Sequence, residues 1–291
     1  MQVPVIKKTD RGRLPNLIII GAMKSATTSL HYYLSLHPQI SMSREKELNF
    51  FARELNWRKG LEWYRSNFRG SGVIFGESSP SYTNYPYFSG VPERMHAVVP
   101  TAKLIYIVRN PMERVISNYV QRHANHLENR TFEEALRDLE DNPYVVRSRY
   151  FFQLERYLSF YPRDNILVIS TEALLKHRER TLNKVFEFLG VEPAFHSLRF
   201  SKILHRSRHK RRKNWLGLLI ESVLGSEHRG LLQRLPPELR YRADKLIYWP
   251  LSKKLERPKL SESLKQKLLE HFSDDVRRLA AYTGEDFAEW R

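Results

Sequence analysis

Three short apolar runs stand out along the chain, at residues 17–20 (LIII), 103–108 (KLIYIV) and 165–169 (NILVI). A solid apolar run of about four to eight residues is typical of a strand that is buried on both faces. A fourth, shorter strand is predicted to end at residues 75–77. Each long run is followed by polar or small residues and then by a helical pattern. This alternation predicts an α/β fold with a central parallel sheet flanked by helices.

The helical patterns begin close behind the strands. Residues 27–36 have the apolar spacing of a helix, and a second helix opens at Asn110, where Pro111 suits the first helical position and Glu113 completes a predicted capping box. A third helix is predicted after Ser170, running to Leu189. The end of the chain, from residue 261, reads as an amphipathic helix followed by a short tail.

The chain has 291 residues, and we expect a single domain over residues 1–291. Residues 1–15 form a predicted polar arm, and residues 202–256 form a variable cap with basic and apolar stretches. Cysteine is absent, which excludes disulfides, zinc–thiolate sites and thiol nucleophiles. Neither a secretory signal nor a long apolar span is recognisable. We therefore expect a cytoplasmic protein.

The net charge of the chain indicates which classes of partner it attracts. Lys and Arg number 49 against 32 Asp and Glu, which gives a formal net charge of +17. Such an excess attracts anions, including nucleotides, sulfated polymers, nucleic acids and anionic membranes. A specific site is needed to choose among them.

Residues 21–30 (GAMKSATTSL), called the phosphate loop below, supply the first such site. A strand ends, small residues let the backbone approach an anion, and a helix begins with exposed amides. Lys24 adds a cation, and Thr27, Thr28 and Ser29 add hydroxyl groups. The spacing differs from that of a Walker A motif, which disfavours a kinase or NTPase.

A second anion site is predicted at Arg109, where the second long strand ends, with Ser117 in the helix that follows. Ligands of open parallel sheets bind at the carboxyl ends of the strands, so Arg109 and the phosphate loop should face one crevice. Two such sites suggest a ligand with phosphates at two ends.

Four segments together resemble the 3′-phosphoadenosine 5′-phosphosulfate (PAPS)-dependent sulfotransferases, in particular their heparan-sulfate-type and related bacterial branch. The phosphate loop is similar to their Lys-x-Gly-Thr-Thr-x-Leu motif, and residues 109–119 (RNPMERVISNY) to their 3′-phosphate motif. The other two segments are residues 46–51 (KELNFF) and 77–82 (ESSPSY). The resemblance implies a P-loop-kinase-like sulfotransferase fold and transfer of a sulfuryl group from PAPS, without a metal, to a hydroxyl or amine acceptor.

The resemblance also implies roles for individual residues. Lys24 would stabilise the leaving 5′-phosphate, Arg109 and Ser117 would hold the 3′-phosphate, and Tyr150 would support them. The full set expected to bind the nucleotide is Lys24, Ser25, Ala26, Thr27, Thr28, Ser29, Arg109, Ser117, Tyr150, Arg208 and Lys210. Ala26 replaces the usual glycine, and we expect its methyl group to be tolerated if its φ is negative.

The resemblance implies that Glu47, Lys24 and Lys46 are the catalytic residues. Glu47 is the expected general base, with its pKa tuned by burial near lysines. An exposed ion pair between Lys46 and Glu47 is the alternative interpretation, and Glu77 is the rival carboxylate. Ser78 stands where some glycan-sulfating members carry a lysine. His31 is expected to pack or cap a helix rather than to act in catalysis.

The basic cluster at residues 202–213 has three interpretations: it caps the 3′-phosphate, binds an acidic acceptor, or is solvated charge. The acceptor stays open among glycans, lipids and small metabolites. Nucleic acid is not expected as a partner, and membrane-surface contact is less favoured. A nucleotide- or nucleic-acid-binding protein without transfer activity is the alternative function. A bacterial enzyme is favoured, or a Golgi enzyme if the natural chain carries a membrane anchor.

Overall fold

A computed structural model describes residues 12–202, 211–214, 216 and 250–290. Its centre is a five-stranded sheet. The strands are β1 (Leu17–Gly21), β2 (Ile40–Met42), β3 (Ile74–Ser78), β4 (Lys103–Val108) and β5 (Ile166–Ser170). The three long runs and the short fourth strand are confirmed, whereas β2 was not predicted.

The sheet order is β2-β3-β1-β4-β5, and all neighbouring strands are parallel. The chain builds β2 and β3 on one side of β1 and then crosses to the other side for β4. A crevice opens outside the carboxyl ends of the strands where the winding direction changes, here between β1 and β4. The phosphate loop follows β1, and Arg109 follows β4, so both sequence-predicted sites lie at this crevice.

Helices cover both faces of the sheet. They are α1 (Thr27–Leu34), α2 (Gly60–Arg65), α3 (Val91–Val98), α4 (Pro111–Ala124), α5 (Phe132–Ala135), α6 (Pro143–Val146), α7 (Tyr150–Leu158), α8 (Thr171–Lys176), α9 (Arg178–Leu189) and α10 (Glu262–Thr283). Alternate residues of a strand point to opposite faces. Ile19 of β1 therefore packs in one cluster with residues of α1 and α9, while Ile18 packs in the other with residues of α2, α3, α7 and α10.

The helices depart from the predicted bounds in two places. The helix α1 ends at Leu34, two residues before the predicted end at residue 36. The helix expected after Ser170 is divided into α8 and α9 at His177, which has φ −126° and ψ 51°. The C-terminal helix is confirmed: Ser261 caps its first turn, and Gly284 ends it with a positive φ of 75°.

The predicted arm and cap fall largely outside the described residues. Within the cap, β6 (Arg211–Lys213) and β7 (Ser252–Lys254) form an antiparallel pair. The division of the chain into one domain with an arm and a cap stays a prediction.

Candidate active site

The phosphate loop leaves β1 through a very close approach to another segment. A side chain at Gly21 would place its Cβ 2.0 Å from Oγ1 of Thr83, so only glycine fits there. The loop then turns through two residues with left-handed backbone, Lys24 (φ 74°) and Ala26 (φ 60°). The condition under which the Ala26 methyl group was expected to be tolerated, a negative φ, is therefore not met, and the residue has a conformation that favours glycine.

The loop delivers the start of α1 to the crevice. Ala26 is the N-cap, and it offers no side-chain acceptor to the first amides of the helix. These amides have no intrahelical acceptor either, because the preceding turn is absent. Thr27 and Ser29 are buried in this turn, and Thr28 is partly exposed. A helix start of this kind favours an anion.

The two predicted anion sites are in direct contact. Nη1 of Arg109 donates to the backbone oxygen of Lys24 at 3.1 Å, and Nζ of Lys24 donates to Oε1 of Gln121 in α4. Ser117 is buried one turn before Gln121. The structure thus brings the residues of both motifs to one crevice, as the sequence predicted.

The start of α4 is capped differently from the prediction. The Asn110 side chain accepts from the amides of Met112 and Glu113, as expected of an N-cap. Glu113 does not complete the capping box: its Oε2 accepts from Arg109 at 3.0 Å and from Arg257. The amide of Asn110 donates instead to Oε1 of Glu172 at 3.0 Å. The predicted capping box does not form, because the Glu113 carboxylate binds Arg109 and Arg257 instead.

Arg114 is a site residue that the sequence analysis did not single out. Its side chain is completely buried, and Nη1 donates to the Tyr144 carbonyl at 3.0 Å and to Oγ of Ser148 at 2.9 Å. Burial lowers the pKa of Arg114 to about 10. Its position within residues 109–119, the segment that resembles the 3′-phosphate motif, was the signal in the sequence that could have identified it. Its burial could not be predicted, because it depends on partners about 30 residues further along the chain.

Several buried N–H groups around this crevice have no protein acceptor in the described part of the chain. They are Nε of Arg109, Nε and Nη2 of Arg114, and Nδ2 of Asn118. Unpaired buried donors are costly, and these N–H groups suit an anion. The same region also contains an unpaired buried acceptor, Oε2 of Glu172, whose charge acts on Tyr150. Burial raises the pKa of Tyr150, whose phenol is affected by the charges of Arg114 and Arg109, so Tyr150 lies beside this set as expected.

Lys46 and Glu47 lie in the loop of residues 43–49, called the Glu47 loop below. The Glu47 side chain is 52% exposed and pairs with Nζ of Lys46 at 2.7 Å. The predicted burial of Glu47 is therefore wrong, and the pair has the geometry of an exposed salt bridge. Exposed pairs contribute only about 0–1 kcal/mol, so this contact is weak enough to exchange for a ligand. The backbone of Glu47 is fixed, since its amide donates to the Ser78 carbonyl at 2.9 Å.

Glu77 is fully buried at the end of β3. Oε1 accepts from the hydroxyls of Tyr64 at 2.7 Å and Tyr82 at 2.9 Å, and Oε2 accepts from Ser79 at 2.6 Å. Burial raises the pKa of Glu77, while these three hydrogen bonds lower it. Both carboxylate oxygens are thus engaged in holding the segment that follows β3. The contacts agree with a bracing role for Glu77.

His31 and Ser78 form a further contact at the crevice, with 2.9 Å between Nδ1 and Oγ. From the sequence, His31 is expected to pack or cap a helix and Ser78 is only a departure from the family pattern, so this contact was not predicted. Arg208 and Lys210 lie outside the described residues, so their predicted role is not addressed. Arg212, just beyond them, bonds to His123, His126 and Asn129.

The described residues contain no group of three or more His, Cys, Asp or Glu side chains arranged to hold a metal ion. Among their helices, none is both long and apolar enough to cross a membrane.

The family follows from a match over most of the chain. Residues 14–216 match the family described as the sulfotransferase domain, so the chain belongs to the sulfotransferase family. The predicted family is confirmed.

Two human relatives show the scale of the similarity. Bifunctional heparan sulfate N-deacetylase/N-sulfotransferase 2 is 30% identical over 208 residues, covering 64% of this chain and 23% of that protein. Heparan sulfate glucosamine 3-O-sulfotransferase 6 is 31% identical over 198 residues, covering 65% of this chain and 56% of that protein. The chain spans less than two thirds of the length of these curated relatives.

Solved structures show the same fold. A sulfotransferase from Alicyclobacillus acidocaldarius superposes with a TM-score of 0.67 at 24% identity, covering 96% of this chain and 99% of that one. A mouse sulfotransferase in complex with PAP superposes with a TM-score of 0.53 at 16% identity, covering 94% of this chain and 88% of that one. The predicted fold class is confirmed.

Proposed function

We propose that this chain moves a sulfuryl group from PAPS to a hydroxyl or amine group of a glycan. The observation that carries the proposal is the direct contact of the two anion sites, through Nη1 of Arg109 and the backbone of Lys24. Two adjoining anion sites match a nucleotide with phosphate groups at both ends. The unpaired buried donors of Arg109, Arg114 and Asn118 fit that ligand.

Each site has a distinct task in this proposal. The first amides of α1, with Thr27, Thr28, Ser29 and Lys24, bind the 5′-phosphosulfate. Arg109 and Ser117 hold the 3′-phosphate, supported by Tyr150. The bond from sulfur to the 5′-phosphate oxygen breaks as a bond from sulfur to the acceptor oxygen or nitrogen forms. Lys24 stabilises the electron pair left on the phosphate oxygen.

Glu47 accepts the proton that the acceptor loses. Within the described part of the chain, the exposed carboxylate of Glu47 contacts Nζ of Lys46 through Oε1, whereas both oxygens of Glu77 are engaged. Accessibility therefore favours Glu47 over Glu77 as the general base. This assignment rests on the resemblance as well as on these contacts.

A glycan acceptor is supported by the relatives. Their names assign heparan sulfate and its glucosamine to those proteins, and one carries out N-sulfation while the other carries out 3-O-sulfation. Amine and hydroxyl acceptors both belong in the screen for this chain. De-N-sulfated and unsulfated heparan-type polysaccharides are the first acceptors to test.

Calorimetry with PAP tests the nucleotide site without an acceptor. PAP should bind at least about 100-fold more tightly than AMP, because the 3′-phosphate makes charge-assisted hydrogen bonds worth several kcal/mol. ATP is the second control, and single-stranded DNA tests the alternative function. Equal binding of PAP, AMP and ATP would reject the proposal.

Arg109→Ala should weaken PAP binding by about 30- to 300-fold and leave AMP binding nearly unchanged. Arg180→Ala is the matched control, because Arg180 is exposed on α9. An Arg109→Ala variant that binds PAP as the wild type does would exclude the second anion site.

Glu47→Gln should reduce kcat by about 100-fold or more while PAP affinity stays the same, as removal of a general base requires. Glu45→Gln, at an exposed position two residues earlier, is the control and should behave as wild type. Full turnover by Glu47→Gln would remove the base assignment and direct attention to Glu77.

The cytoplasmic, bacterial location stays a prediction from the sequence. Fractionation of the source cells followed by immunoblotting checks it.

A further inference from the structure

His31 lies on α1, one turn beyond Thr27, and contacts the strand that supports the Glu47 loop. Its Nδ1 is 2.9 Å from Oγ of Ser78, the last residue of β3. The carbonyl of Ser78 accepts the amide of Glu47 at 2.9 Å. A short chain of hydrogen bonds therefore runs from the helix behind the phosphate loop to the backbone of Glu47.

The other end of the Glu47 loop is held in a similar way. The amide of Ser43 donates to the Gly76 carbonyl of β3 at 2.7 Å, and Oγ of Ser43 donates to the Glu45 carbonyl at 2.8 Å. The backbone of Ser43 also lies near the His31 ring, where it partly offsets the lowering of the ring's pKa. The imidazole thus contacts Ser78, one of the two points at which the Glu47 loop meets β3.

The charge state of His31 makes these contacts specific. Burial and the nearby charge of Lys46 lower the pKa of His31 to about 4, so the ring is neutral near pH 7. A neutral imidazole has one donor and one acceptor. The Ser78 hydroxyl can donate to Nδ1 or accept from it, and this hydrogen bond holds the ring in one orientation.

We propose that His31 is a positioning residue for sulfuryl transfer, which holds the Glu47 loop at a fixed distance from the phosphate loop through Ser78. This rests on the proposed function. In-line transfer requires the donor and the acceptor to be aligned, and a displacement of about 1 Å can reduce the rate about 100-fold. Ser78 itself is fully buried, which suits a structural link rather than contact with the acceptor.

The test compares His31→Ala, His31→Asn and Ser78→Ala, with PAPS and an acceptor that the wild type sulfates. His31→Ala should lower kcat about 10- to 100-fold with PAP affinity within about twofold of wild type, because only alignment is lost. His31→Asn should recover most of that loss, since its amide supplies one donor and one acceptor. The kcat of Ser78→Ala should lie between those of His31→Ala and His31→Asn.

His37→Ala is the matched control, since His37 is also buried near α1 but faces away from the Glu47 loop. Its ring contacts the Glu192 carbonyl and the Gln39 amide at 3.0 and 3.1 Å. His37→Ala should lower the melting temperature without changing kcat at saturation. Nitrogen NMR of the ring gives a readout that does not depend on activity: the His31 ring should be neutral at pH 6, and Ser78→Ala should shift the balance between its two tautomers.

Three outcomes would overturn the proposal. The first is an unchanged kcat in both His31→Ala and Ser78→Ala. The second is a loss of kcat matched by an equal loss of PAP affinity, which would indicate general damage to the fold. The third is failure of the wild type to bind PAP, which would reject the proposed function together with this inference. Only the first two leave the proposed function standing.

Discussion

At the scale of single residues, Ala26 shows how function can be built on an unfavourable conformation. It has φ 60° at the start of α1, where an alanine costs about 1–2 kcal/mol relative to the right-handed region. Ala26 is the N-cap, directly before the first amides of α1. The resembling family usually has glycine at this position, which would relieve the strain.

Ala26→Gly should raise the free energy of unfolding by about 0.5–1 kcal/mol, the strain relieved less the entropy that glycine loses on folding. Urea unfolding at pH 7.5 measures it. The control is Ala173→Gly in the middle of α8, which should lower stability by about 1 kcal/mol. A loss of stability in both variants would show that Ala26 is unstrained.

His31 gives a pH-dependent prediction. Its pKa in the folded protein is about 4, below the usual 6.5, because burial and Lys46 disfavour the charged ring. The unfolded chain therefore binds a proton before the folded one does, and stability is lost as pH falls from about 6.5 toward 4. Relative to His31→Asn, the free energy of unfolding of the wild type should fall by at most about 3 kcal/mol over this pH range. Chemical denaturation at several pH values checks it, and parallel curves for the two proteins would contradict it.

At the scale of elements, α4 links the two anion sites. Its start places Arg109 against the phosphate loop, and its third turn places Gln121 beside Lys24. The amphipathic pattern of α4 is enough to predict a helix, whereas its orientation depends on the cap at Asn110 and on Glu172 from the following strand–helix unit.

Asn110→Ala should therefore lower the free energy of unfolding by about 1 kcal/mol, the usual cost of losing an N-cap. It should also weaken PAP binding, since Arg109 is the adjacent residue. Asn110→Asp keeps an acceptor for the first amides and should retain most of the stability. Thermal unfolding with and without PAP distinguishes the two effects, and equal behaviour of both variants would argue against the cap.

At the scale of the whole molecule, residues 262–290 complete the part of the core that contains Tyr150. The helix α10 packs against α7, and the Asp275 carboxylate accepts the amides of Phe151 and Phe152 at 3.0 and 2.8 Å. Beyond α10, Trp290 stacks on Phe287 at 4.2 Å and lies 5.9 Å from the Tyr150 ring. A residue next to the C-terminus thus supports a residue of the proposed 3′-phosphate site.

Trp290→Ala should cost about 3–5 kcal/mol of stability, because it removes a large side chain that is only 4% exposed. The affinity for PAP should also fall, through Tyr150. Trp290→Phe keeps an aromatic ring and should lose much less stability and PAP affinity. Denaturant unfolding and PAP calorimetry on both variants check the prediction, and normal PAP binding by a folded Trp290→Ala would separate Trp290 from the site.

The sequence by itself determined the strands β1, β4 and β5, the parallel α/β class, the family, and the convergence of Arg109 with the phosphate loop. These follow from local patterns, since apolar runs define buried strands and the carboxyl ends of parallel strands meet at one edge. Only the tertiary structure decided which polar groups are buried and what they contact. Glu47 is exposed and Glu77 is enclosed, Arg114 lies in the core, and His31 meets Ser78, which is 47 residues away. Burial and hydrogen bonding depend on neighbours from distant segments, and no local pattern carries that information.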